Sequence, residues 1–175
     1  HQAFCLIDTP LIDKQSITAF LEATILPQLP SNVAKIVLNL RPENTNGFYY
    51  HYSHGLKKHD GNCQRIIHGH RSIIEIEENG MRSPKLNKFW SQKWQDIYLV
   101  SEEDQIAASQ LKHVAPIQDG IHSCYTSSQG YFELSISESV VDILPCDTTV
   151  ECIAQHIASS LKQLNPENDY RVAAY

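Results

Sequence analysis

Three histidines and one cysteine lie close together in the sequence, at spacings that suit a metal site beside a reactive thiol. His68 and His70 open an apolar run, His54 ends an aromatic one, and Cys63 lies between the two runs. Residues i and i+2 of a strand face the same side of a sheet. The imidazoles of His68 and His70 can therefore bind one ion.

A β-hairpin would bring the third histidine to the other two. The aromatic run over residues 48–54 and the run after His68 favour strands. Residues 60–62 (Asp-Gly-Asn) between them are typical of a turn. Cross-strand neighbours lie about 5 Å apart, so His54 can approach His68 and its neighbour. We predict an antiparallel hairpin over residues 48–77.

Three neutral imidazoles suit zinc and leave a fourth position for water or substrate. An ion with an open position can polarise a carbonyl or hydroxyl oxygen. Cys63 has two possible roles: fourth ligand of a structural zinc, or a base whose pKa the ion lowers. A hairpin whose histidines only form hydrogen bonds is a third alternative. His51 is expected to face away from His54, and His59 to lie in solvent.

Composition limits the class of protein. The 175 residues suffice for one domain with a real core, and the net charge of -6 argues against a nucleic-acid-binding protein. No apolar run has the length needed to span a membrane. The five cysteines are odd in number and widely spread, which favours reduced thiols and a cytoplasmic location.

The remaining elements predict a mixed α and β chain. The helix over residues 149–164 has the clearest apolar face. Residues 16–40 and 149–175 share the order helix, turn, strand, which indicates either a duplication or a chance likeness. The other expected elements are a helix capped by Ser16 and ended or kinked by Pro27, helices over 85–96 and from Glu102, a buried strand over 33–40, and strands over 131–136, 140–144 and 170–175.

Two motifs carry a resemblance to a known family. The Cys-(four residues)-His-Gly-His pattern of residues 63–70, after an aromatic strand ending in His54, resembles the 6-pyruvoyl-tetrahydropterin synthase family. That family includes the 6-carboxy-tetrahydropterin synthases of the queuosine (7-deazaguanine) pathway. Residues 149–151 (Thr-Val-Glu), which open a helix, are similar to the family's Thr-x-Glu. The resemblance covers residues 48–77 and 148–175.

The resemblance implies an α+β fold of the T-fold type, a ββααββ antiparallel sheet with helices on one face. Such units assemble into barrels, so a homo-oligomer is expected, with no nucleic-acid or membrane partner. Residues 48–175 would form the zinc-binding T-fold domain. Residues 1–47 would be either the remnant of a first T-fold unit in a tandem protein or a simple N-terminal extension.

The resemblance also implies an activity, that of a zinc-dependent carbon–oxygen/carbon–carbon lyase. His54, His68 and His70 would bind Zn²⁺, and Cys63 would be the general base. The substrate would be 7,8-dihydroneopterin triphosphate. The carboxy-forming branch, which we expect here, releases acetaldehyde and triphosphate, whereas the pyruvoyl branch eliminates triphosphate only. A paralogue with other pterin or purine chemistry and a non-catalytic module with structural zinc are the alternatives.

Other site residues follow from the same resemblance. Thr149 and Glu151 would lie beside the pterin, and Glu43 would occupy about the place of the family's pterin-anchoring glutamate. The family has an Asp-His pair that relays protons with its cysteine. Asp96 matches the aspartate, but Ile97 follows it. We therefore predict His122 as the relay histidine, with His113 as the second choice.

Overall fold

The computed structural model describes residues 13–40, 47–57 and 64–175. The chain divides into two units, His1–Asn44 and Thr45–Tyr175. Among the described residues, no helix has the length and apolar character that crossing a membrane requires.

The first unit contains helix α1 (Lys14–Thr24), followed by a 3-10 turn over Leu26–Gln28. The predicted cap, Ser16, is wrong, because Ser16 lies within the first turn of the helix. Asp13 is the N-cap, and its carboxylate accepts a hydrogen bond from the Ser16 N–H at 3.0 Å. A carboxylate satisfies the free N–H groups of a first turn and favours the positive end of the helix dipole.

The buried strand predicted over residues 33–40 is wrong. These residues form no strand, and Val37 and Leu40 are 72% and 49% exposed. A strand needs a neighbour for its N–H and C=O groups, and no described residue pairs with this segment. The apolar run alone therefore does not specify a strand, and the helix–strand order shared with residues 149–175 is absent here.

The described residues of the second unit form the sheets and two further α-helices. Its elements in chain order are β1 (Tyr50–His54), β2 (His68–Ser72), β3 (Ile74–Glu78), β4 (Met81–Arg82), α2 (Pro84–Lys93), β5 (Ile97–Ser101), β6 (Gly120–Ser127), β7 (Gly130–Ser137), β8 (Val141–Leu144), α3 (Val150–Leu164) and β9 (Tyr170–Ala174). The strands form three sheets, ordered β2-β1-β5-β8, β4-β3-β9 and β6-β7. The predicted α+β class is confirmed.

Antiparallel pairing joins β1 to β2, β3 to β4 and β9, and β6 to β7. Strands β5 and β8 extend the first sheet through parallel pairs, β1 with β5 and β5 with β8. The predicted hairpin is therefore present, with β1 and β2 as its arms. Its second arm is broken at Ile73, beyond which β3 belongs to a different sheet.

The core packs the inward faces of β1, β3 and β5 against α2 and α3. On α3, Ile153, Ile157 and Leu161 are almost fully buried and recur every four residues, which places them on one helix face. Of the two candidate caps in the sequence, Thr148 and Thr149, the N-cap is Thr149, whose side chain accepts from the Cys152 N–H. The other core residues are Tyr50, Tyr52, Ile74, Ile76, Trp90, Trp94, Leu99 and Leu144.

The helix predicted from Glu102 is wrong. Only a 3-10 turn over Glu102–Asp104 forms there, because the next residues pair with β6. The Ile106 N–H donates to the His122 carbonyl of β6 at 3.0 Å. The same N–H therefore cannot form the hydrogen bond that a helix would require of it. Beyond this point the chain forms the eight-residue strands of the β6–β7 hairpin.

Candidate metal centre and adjoining pocket

The β1–β2 register brings the three predicted metal-binding histidines together. His54 pairs directly with His68, and Tyr52 pairs with His70. Alternation along β1 directs Tyr50, Tyr52 and His54 to the buried face. One ring nitrogen from each of the three histidines lies within 4.8 Å of the other two.

Burial favours the neutral form of two of these imidazoles, those of His54 and His70. His54 is 2% exposed, and its two ring nitrogens have no hydrogen-bond partner among the described residues. Burial, and then the neighbouring His70 and His68 rings, lower the pKa of His54 to about 4. Burial and His68 also lower the pKa of His70. Neutral nitrogens converging without partners are the donor set that Zn²⁺ binds, so the residues fit a zinc ion.

Tyr52 supports the cluster from the core side. Its ring stacks on His70, with centroids 5.5 Å apart and planes 15° apart, and meets His54 edge to face at 5.6 Å. These contacts restrict the imidazole orientations on one side, so the ring nitrogens are directed to the other. That side opens into a pocket.

The pocket has a volume of about 360 Å³, within the range of small-molecule sites. It joins the end of the β1–β2 hairpin to the first turn of α3, so the two sequence motifs share one cavity. The lining residues are His54, Gly55, Leu56, Lys57, His68, His70, Asp147, Thr148, Thr149, Val150 and Glu151.

The start of α3 is tied to the end of β1. Thr148 is 5% exposed, and its Oγ1 donates to the Gly55 carbonyl at 3.0 Å. This bond holds the start of α3 beside the end of β1, and Thr149 and Glu151 line the same pocket as the histidines. The cavity is thus lined both by imidazoles from β1 and β2 and by a helix N-terminus that carries a carboxylate.

Two charged residues of the lining were not predicted. Lys57 is largely buried, and its ammonium forms ion pairs with Glu103 and with Asp104, the latter at 2.7 Å. Burial opposes its charge, but these carboxylates outweigh burial and raise the pKa of Lys57. Asp147 precedes α3, and a carboxylate near a helix N-terminus was the signal that could have identified it.

The predicted relay residues lie elsewhere in the second unit. Asp96 pairs with His51, whose Nδ1 is 2.7 Å from its Oδ1, on the face of β1 away from the cluster. His122 lies on β6, where its Nδ1 is 3.0 Å from Ser135 Oγ. The structure does not bring Asp96 and His122 together, and neither they nor His113 line the pocket. Their relay role stays a prediction.

Two predicted site residues, Cys63 and Glu43, lie outside the described residues. Their roles as base and pterin anchor also stay predictions. The described chain ends its first hairpin arm at Lys57 and resumes at Gln64, immediately after the cysteine.

Comparison with known proteins decides the family. The family model described as 6-pyruvoyl tetrahydropterin synthase matches residues 43–174. The chain belongs to this family. The match includes all three histidines of the cluster and the whole pocket lining, and it confirms the resemblance stated from the two motifs.

One solved structure with this description is also similar. It is the 6-pyruvoyltetrahydropterin synthase of Plasmodium vivax, in a catalytic-residue mutant, with a TM-score of 0.48 and 11% sequence identity. The match covers 73% of this chain and 85% of that chain. Among curated proteins, none matches the chain. Family membership supports a pterin synthase function at this level of description.

Proposed function

We propose that the protein is a zinc-dependent pterin synthase. It acts on 7,8-dihydroneopterin triphosphate and forms 6-carboxy-5,6,7,8-tetrahydropterin, as in the queuosine pathway. The reaction consumes water and releases acetaldehyde and triphosphate. By resemblance we also propose a cytoplasmic homo-oligomer.

One observation carries the proposal. Three imidazoles, each with at least one buried ring nitrogen that has no hydrogen-bond partner among the described residues, converge at a cavity that Thr149 and Glu151 of the second motif also line. A hairpin whose histidines served only as hydrogen-bonding groups would leave no reason to bury these nitrogens unpaired. The two motifs are about 80 residues apart in the sequence, so their meeting in one cavity adds support that neither gives alone.

The proposed roles follow from the position of each group. His54, His68 and His70 would hold Zn²⁺, which when bound supplies a Lewis acid that polarises the side-chain oxygens of the substrate. Thr149 and Glu151, which line the same cavity, would orient the pterin by hydrogen bonds. Cys63 would take a proton from the substrate side chain as general base.

The test is incubation of the zinc-loaded protein with 7,8-dihydroneopterin triphosphate, with mass detection of the pterin product and assay of acetaldehyde. We expect the 6-carboxy product with one acetaldehyde per turnover. A 6-pyruvoyl product without acetaldehyde would assign the other branch of the family. The matched control is Glu151→Gln, which keeps the shape of the side chain and should weaken substrate binding while zinc content stays unchanged.

Absence of turnover with stoichiometric zinc would favour a paralogue with other chemistry or a non-catalytic module with structural zinc. Elemental analysis of protein purified without chelators measures the zinc content. A result without stoichiometric zinc would contradict the proposed zinc dependence.

A further inference from the structure

Two tyrosine hydroxyls hold the segment that leads into β2. Tyr98 donates to the Ile66 carbonyl, and Tyr125 donates to the Arg65 carbonyl at 2.5 Å. Both tyrosines are buried, at 3% and 7% exposed. The Arg65 carbonyl also accepts from the Leu56 N–H at 3.1 Å, so one oxygen joins the β6–β7 hairpin to the end of β1.

Residues 55–57, here termed the pocket wall, all line the cavity. The ring of Tyr125 packs directly on this wall. A Cβ added to Gly55 would lie 2.8 Å from Tyr125 Cε1, closer than side chains approach. From the other side, Thr148 holds the Gly55 carbonyl. The wall is therefore fixed between the start of α3 and the β6–β7 hairpin.

The turn of the hairpin adds further contacts close to the same place. Gln64 is 3% exposed, and its Oε1 accepts from Ser128 Oγ at 2.9 Å and from the Gln129 N–H at 3.2 Å. Arg65 Nη1 donates to Gln129 Oε1 at 2.8 Å. The hairpin thus binds the residues that precede β2 through both backbone and side chains.

We propose that Tyr125 is a positioning residue that sets the pocket wall against the bound substrate, a role that rests on the proposed pterin synthase function. The metal-binding nitrogens belong to β1 and β2, whose register does not involve Tyr125. The wall begins where that register ends, so its position depends on the hairpin. Loss of the Tyr125 hydroxyl should therefore change substrate binding and leave the metal in place.

The test compares Tyr125→Phe with Tyr131→Phe in the zinc-loaded protein. Tyr131 lies on β7 of the same hairpin, but its hydroxyl donates to Glu133 on its own strand. We expect Tyr125→Phe to raise KM about 2- to 10-fold, the cost of one hydrogen bond, with a smaller change in kcat and unchanged zinc content. Hydrogen exchange at the Leu56 amide should be faster in Tyr125→Phe only.

The proposal is overturned if Tyr125→Phe matches Tyr131→Phe in KM and in Leu56 exchange, or if Tyr125→Phe also loses zinc. A wild-type protein without turnover would refute the proposed function, and Leu56 exchange would still decide whether Tyr125 positions the wall. If Tyr125→Phe does not fold, Gly55→Ala tests the same contact, because its methyl group would displace the wall from the ring. An unchanged KM in Gly55→Ala would then overturn the proposal.

Discussion

Strand β1 carries two histidines whose surroundings differ in almost every respect. His54 is buried beside two other imidazoles, and burial, followed by those rings, lowers its pKa to about 4. His51, three residues earlier, is half exposed and pairs with the exposed Asp96. Because successive side chains of a strand alternate between faces, an odd separation places the two rings on opposite sides of one sheet.

The comparison separates residue type from environment. A histidine beside a carboxylate resembles a proton relay, yet at His51 the pair lies in solvent, where such contacts contribute little. At His54, burial and like neighbours favour the neutral form, which is the form that binds a metal. We therefore expect substitutions on the buried face of β1 to affect metal binding and turnover more than substitutions on its exposed face.

The largest expected effect is that of His54→Ala. Removal of one of three ligands should lower zinc affinity by at least ~100-fold, more than loss of a supporting partner does, and abolish turnover. His51→Ala should retain stoichiometric zinc. Elemental analysis after dialysis, together with turnover, measures both. Equal zinc content in the two variants would show that the buried face does not hold the ion.

A second large effect is expected for Cys63→Ala. This variant tests whether the site on the buried face of β1 includes a general base as well as metal ligands. Loss of a general base should reduce kcat about 10²- to 10⁴-fold, while zinc stays bound by three histidines. Single-turnover assay and elemental analysis check this outcome. Release of zinc from Cys63→Ala would instead indicate a structural site with the thiol as fourth ligand.

An intermediate effect is expected from pH in the metal-free protein. The pKa of His54 is about 4 when folded and 6.5 when unfolded, so below pH 6.5 the unfolded chain binds a proton that the folded chain excludes. Stability should therefore fall by about 2 kcal/mol between pH 6.5 and pH 5. Urea unfolding at both pH values measures the difference.

The pH effect has controls on both faces of β1. His51→Ala should keep the pH dependence, whereas His54→Gln should remove most of it. The same slope in His54→Gln as in the wild type would assign the dependence to other groups.

The smallest effect is expected for Asp96→Asn. The Asp96–His51 pair is exposed on both sides, so its loss should cost under about 1 kcal/mol of unfolding free energy. If Asp96 is the predicted relay carboxylate, kcat should fall at least ~10-fold in Asp96→Asn although the free energy of unfolding changes little. Thermal unfolding and kcat measured on the same preparation separate these outcomes, and an unchanged kcat would remove Asp96 from the proposed site.

Features set by local periodicity could be predicted from the sequence. Two-residue alternation predicted the β1–β2 hairpin and the common face of its histidines, and the helical spacing of apolar residues predicted α3. Each depends on residues close in the chain. The family motifs added the meeting of α3 with the histidines, which no local pattern contains.

Features set by distant partners could not be predicted. Residues 33–40 have the composition of a strand but no described neighbour to pair with, and the residues after Asp104 pair with β6 across a separation that the sequence does not specify. The Asp96–His51 pair depends on the parallel register of β1 and β5. Lys57 is largely buried, and the carboxylates that pair with it, Glu103 and Asp104, lie more than 40 residues away in the sequence.

The close approach of Gly55 to Tyr125 has a consequence for the history of this chain. A Cβ at position 55 would overlap a ring whose hydroxyl is held by a backbone carbonyl, so the ring cannot easily move aside. Relatives that carry a larger residue at position 55 should therefore lack an aromatic residue at position 125, or lack the hairpin. Substitutions at positions 55 and 125 should therefore be correlated. An alignment of homologous sequences can detect that covariation.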